Sequence, residues 1–351
     1  MRRRIFALAL VLAICLSIAA CSPEPQGKIY LYGEAHGVPE IRDLELELWQ
    51  DYYHNQGMRH LFVECGYFTA ELLNQWMQAE DDTILLQIYD NWEGTTAQTE
   101  VTLDFYRAIK ETCPETVFHG TDVGHQYSNT GEQYLAYLEE NGMTDSEEYR
   151  LTQEAIEQGE TFYANSSHDW IYRENMMTAN FIREFEALDG ESIMGIYGTA
   201  HVGLDSLNHT GECDCMAKQL VSHFGEIITS EDLARRAQAE AQPERVETLE
   251  INGKSYEAEY FGLRPLSVSY YGYSQVEFWR LVDAWEDFSK ADFTGTLQGE
   301  SYWPMVIEEG GVYVVQYTYP DGRTIRQYHV CDGTLYQGVL VTNEVYASTI
   351  G

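Results

Sequence analysis

The sequence predicts an α/β fold: a central, mainly parallel sheet flanked by helices with a helical insertion, followed by a small α+β C-terminal region. Three observations predict it. Four short apolar runs, at 29–32, 61–63, 116–121 and 193–198, alternate with longer stretches of helical periodicity, the pattern of strands joined by crossover helices. Each run carries ionisable residues at its downstream end: Glu34 and His36, then Glu64, then Asp122 with His125, then His201. After Pro243 the texture changes to strand-like segments punctuated by Asn252-Gly253, Asp321-Gly322 and Asp332-Gly333, which are hairpin-turn signals.

The chain opens Met1-Arg2-Arg3-Arg4, followed by an apolar run over 5–20 and then Cys21. A basic start, a short apolar core and small residues before a cut define a secretory signal, and the run is too short and wrongly flanked for a membrane span. Leu16-Ser17-Ile18-Ala19-Ala20-Cys21 resembles a bacterial lipobox. That resemblance implies cleavage before Cys21, a lipid on its thiol, and a protein exported and anchored to the bacterial cell membrane, facing outward. Residues 1–20 are read as the signal, 21–27 as a tether, 28–243 as the α/β domain and 244–351 as a small β-rich α+β domain.

Charge narrows the partners. With 57 acidic against 21 basic residues the formal net charge is −36, and three of the basic residues sit in the signal. Nucleic acid is excluded as a partner because its binding depends on cationic contacts to phosphate. Anionic lipid headgroups are repelled too, so membrane attachment is expected through the N-terminal lipid alone. The expected partner is a small-molecule or peptide substrate. Of seven cysteines, Cys15 leaves with the signal and Cys21 takes the lipid, leaving an odd number that cannot all pair. Cys213-Asp214-Cys215 reads as a disulfide or free thiols rather than a metal site, since no second cysteine pair stands at zinc-site spacing.

Along the α/β part, Pro39–Gln56 reads as a helix with Ile41, Leu44, Leu48 and Tyr52 on one face and Gly57 as its stop. Helices follow at 70–77, 84–92 and 99–112, and the loop Gly94-Thr95-Thr96 is expected to overhang the strand ends. Between the third and fourth strands, helices at 131–141, 146–158 and 167–182 exceed what one crossover needs and read as an insertion capping the sheet edge. In the last of them Trp170, Met177 and Phe181 pack at helical spacing, with Arg173 on the same inward side. A helix at 215–224, a short strand at 226–229 and a boundary at 234–243 complete this part. Beyond it, strands are expected at 246–251, 256–261, 312–319, 324–330 and 334–341, with one helix over 276–288.

In an open α/β sheet, ligands bind beyond the carboxyl ends of the strands. Polar residues at one such end are ordinary; repeated on four strands they form a constellation. A buried imidazole beside a carboxylate can take a proton from water. His36 is the candidate base, oriented by Glu34. His201 is a proton donor to the leaving group or an alternative base, Glu64 an orienting carboxylate, and Arg173 a stabiliser of the developing oxyanion. Arg42 assists, while Asp122 and His125 are expected at the rim as binding residues. Glu34, His36, Glu64 and His201 also carry the donor atoms for a divalent metal with water in an open position. No Ser-x-Gly nucleophile is present, and Cys65, though next to Glu64, is read as packing.

Gly33-Glu34-Ala35-His36-Gly37, Val63-Glu64, the helix Arg173-Glu174-Asn175-x-Met177 and Gly198-Thr199-Ala200-His201 together resemble the superfamily of erythromycin esterases, ChaN-like haem-binding lipoproteins and TraB/Tiki-type proteins. The resemblance covers about 28–229. It implies a site at the C-terminal edge of the sheet and a hydrolase using the Glu/His/Glu/His set, or alternatively a haem- or small-ligand-binding lipoprotein, or an inactive member. One residue, Ala35, separates the Glu and His of the first motif where erythromycin esterases have two, which favours the ChaN/Tiki-like version. For haem, the 26 tyrosines and the histidines supply axial-ligand types.

Overall fold

The computed structural model describes residues 27–299, 303–336 and 339–351. The expected signal, Cys21 and the tether up to residue 26 lie outside the described residues. The N-terminal part runs β1 (Ile29–Glu34), α1 (Pro39–Gln56), β2 (His60–Gly66), α2 (Tyr67–Gln78), α3 (Thr83–Asn91), α4 (Glu100–Thr112), β3 (Val117–Asp122), α5 (Glu132–Glu140), α6 (Glu147–Tyr163), α7 (Trp170–Glu186), β4 (Ile193–Gly198), α8 (Met216–Phe224), β5 (Ile228–Asp232) and α9 (Leu233–Glu240). The five strands form one parallel sheet in the order β3-β2-β4-β1-β5. Parallel pairing brings all the carboxyl ends to one edge.

Period-two alternation sorts the strand side chains between the two faces. Leu61, Val63, Met194 and Ile196 meet α1, α3 and α4 through Trp49, Ile88, Leu103 and Ile109. Ile29, Leu31, Phe62, Ile193 and Tyr197 meet α7 and α8 through Met177, Phe181, Met216 and Leu220. Truncating a fully buried side chain such as Phe181 to Ala costs about 3–5 kcal/mol.

The helix ends follow local chemistry. Thr99, Ser146 and Asp169 accept backbone N–H groups at the starts of α4, α6 and α7. Gly57 ends α1 at φ 74°, a left-handed conformation that glycine adopts without strain. The buried stripe of α1 differs from the expected one. Ile41, Glu45, Trp49, Tyr52 and Tyr53 are buried, while Leu44 and Leu48 are only half-buried. The stripe is turned by one position because a glutamate occupies a core position, for a reason given below. α5 and α6, inserted between β3 and β4, pack on α2 through Tyr67, Phe68, Tyr134, Leu138, Leu151 and Ala155.

The C-terminal part comprises β6 (Arg245–Ile251), β7 (Lys254–Pro265), β8 (Gln275–Leu281), β9 (Phe293–Gly299), β10 (Val312–Thr318), β11 (Thr324–Val330), β12 (Leu335–Tyr336) and β13 (Val339–Val345). They make an antiparallel sheet in the order β12-β13-β11-β10-β8-β7-β6, with β9 added alongside β13. The β6–β7 turn has Asn252 and Gly253 both at positive φ, 51° and 81°, as a two-residue hairpin requires.

Three expectations are corrected here. Residues 276–288 are not one helix but β8 followed by a single helical turn, Trp285–Phe288. Val276 and Phe278 enter one core while Trp279 and Leu281 enter another. With both faces buried, the alternation is masked by apolar residues on either side and mimics a helix. The single strand expected at 334–341 is the short β12 plus β13. β9 was not expected: its two glycines and its mostly exposed side chains hide it.

The N- and C-terminal parts are tied directly. Arg264 pairs with Glu40 at 3.1 Å. Ser269 Oγ accepts the Gly94 N–H at 2.9 Å and donates to Gln98 Oε1 at 2.8 Å. Among the described residues no helix is long and apolar enough to cross a membrane.

Candidate active site

Glu34 closes β1, and the turn after it presents His36. His36 Nδ1 and Glu34 Oε1 share a hydrogen bond of 2.9 Å, and His36 Nε2 points toward Glu64 Oε1 at 3.9 Å. In the first turn of α1, Arg42 reaches back to Glu34 at 2.9 Å and down to Glu45 at 2.7 Å. That second contact explains the buried glutamate on the core stripe of α1. The signal for Glu45 was in the sequence: an acidic residue four after Ile41 and four before Trp49, three after Arg42.

Glu64 owes its position to a β-bulge. Val63 pairs with Gly120 but Gly66 with Asp122, so β2 carries one residue more than β3 over this interval. Bulges beside strand ends re-aim a side chain. Glu64 Oε1 accepts Arg173 Nη2 at 2.6 Å, and Oε2 accepts the Gly198 N–H. Arg173 comes from the first turn of α7 and also grips Asp122 twice, Nε to Oδ1 at 3.0 Å and Nη2 to Oδ2 at 2.6 Å. Asp122 is therefore not a rim residue, as expected, but a fully buried anchor. Removing one partner of such a buried pair costs about 3–5 kcal/mol because the other charge is stranded. His125 Nε2 contacts Asp122 Oδ2 at 2.9 Å, and its Nδ1 the Tyr163 hydroxyl at 2.6 Å.

His201 sits one layer back. It is 4% exposed, its Nε2 lies 3.7 Å from Glu64 Oε1, and its Nδ1 lies 2.6 Å from Glu174 Oε1. The Glu174 contact is close without being aligned as a hydrogen bond. Glu174 Oε2 accepts the Met216 N–H at 2.8 Å, which ties α7 to the start of α8. Glu174 carries no assigned role in the sequence reading; its adjacency to Arg173 is the available signal. Gly198 makes the convergence sterically possible. A Cβ there would lie 3.3 Å from Glu64 Oε2 and 3.4 Å from His36 Nε2.

The charges set one another. Burial opposes ionisation of Glu34, but Arg42 and His36 override it and hold the carboxyl at about 2. Burial also opposes charging His36; Glu34 first, then Glu64, reverse this and raise it to about 9. Against its own burial, Glu64 is lowered by His201, His36 and Arg173, and Asp122 by Arg173 and His125. Glu45 goes the other way: burial and the nearby Glu34 charge, despite Arg42, push it up to about 8. Its Oε1 is buried without a hydrogen-bond partner among the described residues, as suits a neutral carboxyl. At neutral pH three anions (Glu34, Glu64, Asp122) thus face three cations (Arg42, Arg173, His36). Burial drives the Cys65 thiol upward, so it is no nucleophile.

These groups floor a cleft of about 550 Å³. Glu34, His36, Arg42, Glu64, Asp122, His125 and Arg173 line it; His201 does not. Gly94 to Ala97, Tyr163 and Trp170 from the insertion, and Tyr270 from the C-terminal part supply its walls. The loop at Gly94 thus overhangs the site.

The donor set expected for a divalent metal does not fit one. Guanidinium groups occupy the positions beside Glu34 and Glu64 that a cation would take, and His201 lies behind Glu64. Among the described residues no three His, Cys, Asp or Glu side chains are placed to hold a metal ion. For haem, His125 has both ring nitrogens engaged and His36 Nδ1 is held by Glu34, while His168, Tyr163 and Tyr270 on the cleft wall are of axial-ligand types. All five described cysteines are free thiols.

No protein-family model and no curated protein matches the chain. Among solved structures it is similar to an erythromycin esterase mutant in its open conformation, at 13% identity over 59% of this chain and 69% of that one, TM-score 0.43. It is also similar to a Bacillus cereus protein at 14% identity, over 93% of this chain and 86% of that one, TM-score 0.45. A succinoglycan biosynthesis protein aligns at 12% identity over 58% and 65%, TM-score 0.42. Likenesses this remote carry no argument about function.

Proposed function

We propose that the protein is a hydrolase of a carbonyl substrate, an ester, lactone or peptide, and that it works at the outer face of a bacterial membrane to which lipid on Cys21 anchors it. The observation that carries the reading is the Glu34–His36 pair, fixed at 2.9 Å on the cleft floor between two guanidinium groups. Glu34 holds the His36 ring, so Nε2 is the atom offered to a water. As the water oxygen bonds to the carbonyl carbon, its proton passes to His36 Nε2. The carbonyl oxygen becomes an oxyanion beside the positive charge of Arg173. The bond to the leaving group then breaks, and His36 returns the proton to it. Glu64, braced by Arg173 and by His201 behind it, keeps the imidazole and the cation in register.

The test is a panel of esters, lactones and peptides, with and without added divalent metal, on the full chain and on His36→Ala. Loss of the base is expected to lower the rate about 10²–10⁴-fold without loss of cooperative unfolding. Equal rates in both proteins, or none in either, would sink the reading. A Soret shift on haem addition, without hydrolysis, would favour the ligand-binding alternative. Anchoring is checked separately: Cys21→Ala is expected to move the protein from the detergent phase to the aqueous phase, and equal partitioning would place the anchor elsewhere.

A further inference from the structure

Beside the cleft lies a second pocket of about 240 Å³, at the seam between the two sheets. Val38, Leu266, Val276, Phe278 and Trp303 form its apolar walls, and His36, Thr96 and Tyr270 border both it and the cleft. Four of those five apolar residues come from the C-terminal part, which lies outside the motifs at the strand ends.

Protein interiors are close-packed, and voids larger than a water are few. An apolar cavity of about 150 Å³ is already enough to take up benzene. A chamber larger than that, bordered by His36 and lined mostly by apolar side chains with Arg264 and Gln298 among them, has the size of a site for an apolar group. The frame around it is pinned on both sides of the seam, by Arg264 on Glu40 and by Ser269 on Gly94 and Gln98. Trp303 is 1% exposed, and its Nε1 has no hydrogen-bond partner among the described residues.

We propose that this pocket receives the apolar group of the substrate, an aromatic ring or an alkyl chain of about six carbons, while the scissile carbonyl lies against His36. The C-terminal sheet is then the specificity wall of the active site. This rests on the hydrolase reading, and the experiment separates the two.

Fluorobenzene binding to the full chain is followed by ¹⁹F NMR, and kcat/KM is measured for 4-nitrophenyl acetate, hexanoate and octanoate. The variants are Leu266→Trp, which fills the pocket, and Leu266→Ala, which enlarges it; Leu266 is half-buried, so both changes are tolerable to the fold. The wild type is expected to bind fluorobenzene and to prefer hexanoate over acetate. Leu266→Trp should abolish binding and lower the hexanoate-to-acetate ratio by about tenfold or more. Leu266→Ala should raise the octanoate-to-hexanoate ratio, and it decides the matter if the tryptophan variant does not fold. No fluorobenzene binding by the wild type, or ratios unmoved in a folded variant, overturns the pocket even if esters are hydrolysed. Binding that Leu266→Trp abolishes, with no ester hydrolysed, upholds the apolar site and removes the hydrolase reading instead.

Discussion

His36 carries the proposed chemistry, and its surroundings impose a pH dependence. With its pKa raised to about 9 by Glu34 and Glu64, it is protonated at neutral pH and must lose that proton to act as a base. kcat/KM is therefore expected to climb about tenfold per pH unit and to level near pH 9; Glu34→Gln should move the limb to lower pH. A rate falling through that range would make His36 the proton donor. Stability has its own sign. A group whose pKa rises on folding, from 6.5 to about 9 here, contributes fully below about 6.5, and the contribution is lost as pH rises to 9. Glu45, raised from 4.5 to about 8, favours lower pH as well. The melting temperature should thus fall from pH 6.5 to 9, and less steeply in His36→Gln. Two of the deciding residues, Glu34 and His36, were legible from a strand-end motif. Glu45 stands at helical spacing from Arg42, and Glu174 next to Arg173, in the sequence, but that local signal does not tell which of the many surface acids is buried with its partner.

Strand ends and a bulge, more than any loop, aim the cluster. β2 delivers Glu64 through its extra residue, and β4 ends at Gly198, whose bare Cα lets Glu64 and His36 approach. Gly198→Ala is expected to impair catalysis well beyond its effect on folding. The added methyl meets the Glu64 and His36 side chains, at 3.3 and 3.4 Å, rather than backbone. Assaying kcat against thermal unfolding checks this; a parallel drop in both would mean that the glycine serves only packing. Short apolar runs marked the parallel strands, which are buried on both faces, and one-faced periodicity marked α1. It misread β8 because both faces of that strand are buried, and it missed β9 because most of its side chains are exposed.

For the molecule as a whole, the question is how far the two sheets depend on one another. Each has its own buried clusters, so a fragment of residues 21–243 is expected to unfold cooperatively. It should lose fluorobenzene binding, because Leu266, Val276, Phe278 and Trp303 leave with the second sheet. A fragment with no cooperative transition in a thermal melt would show instead that the α/β part needs its partner.

The sequence by itself determined the α/β class, the order of strands and helices through β4, and the presence of Glu34, His36, Glu64, Arg173 and His201 at strand ends or on an inward helix face. These follow from local periodicity and from the geometry of parallel sheets, which short stretches of chain encode. Only the tertiary structure decided that Asp122 is a buried anchor, that His201 stands behind Glu64 and out of the cleft, that guanidinium groups fill the places of a metal, and that Tyr270 of the C-terminal part walls the cleft. Each depends on which side chains from distant segments share one low-dielectric volume. There charges settle one another's ionisation over a few ångströms, and no stretch of sequence contains both partners.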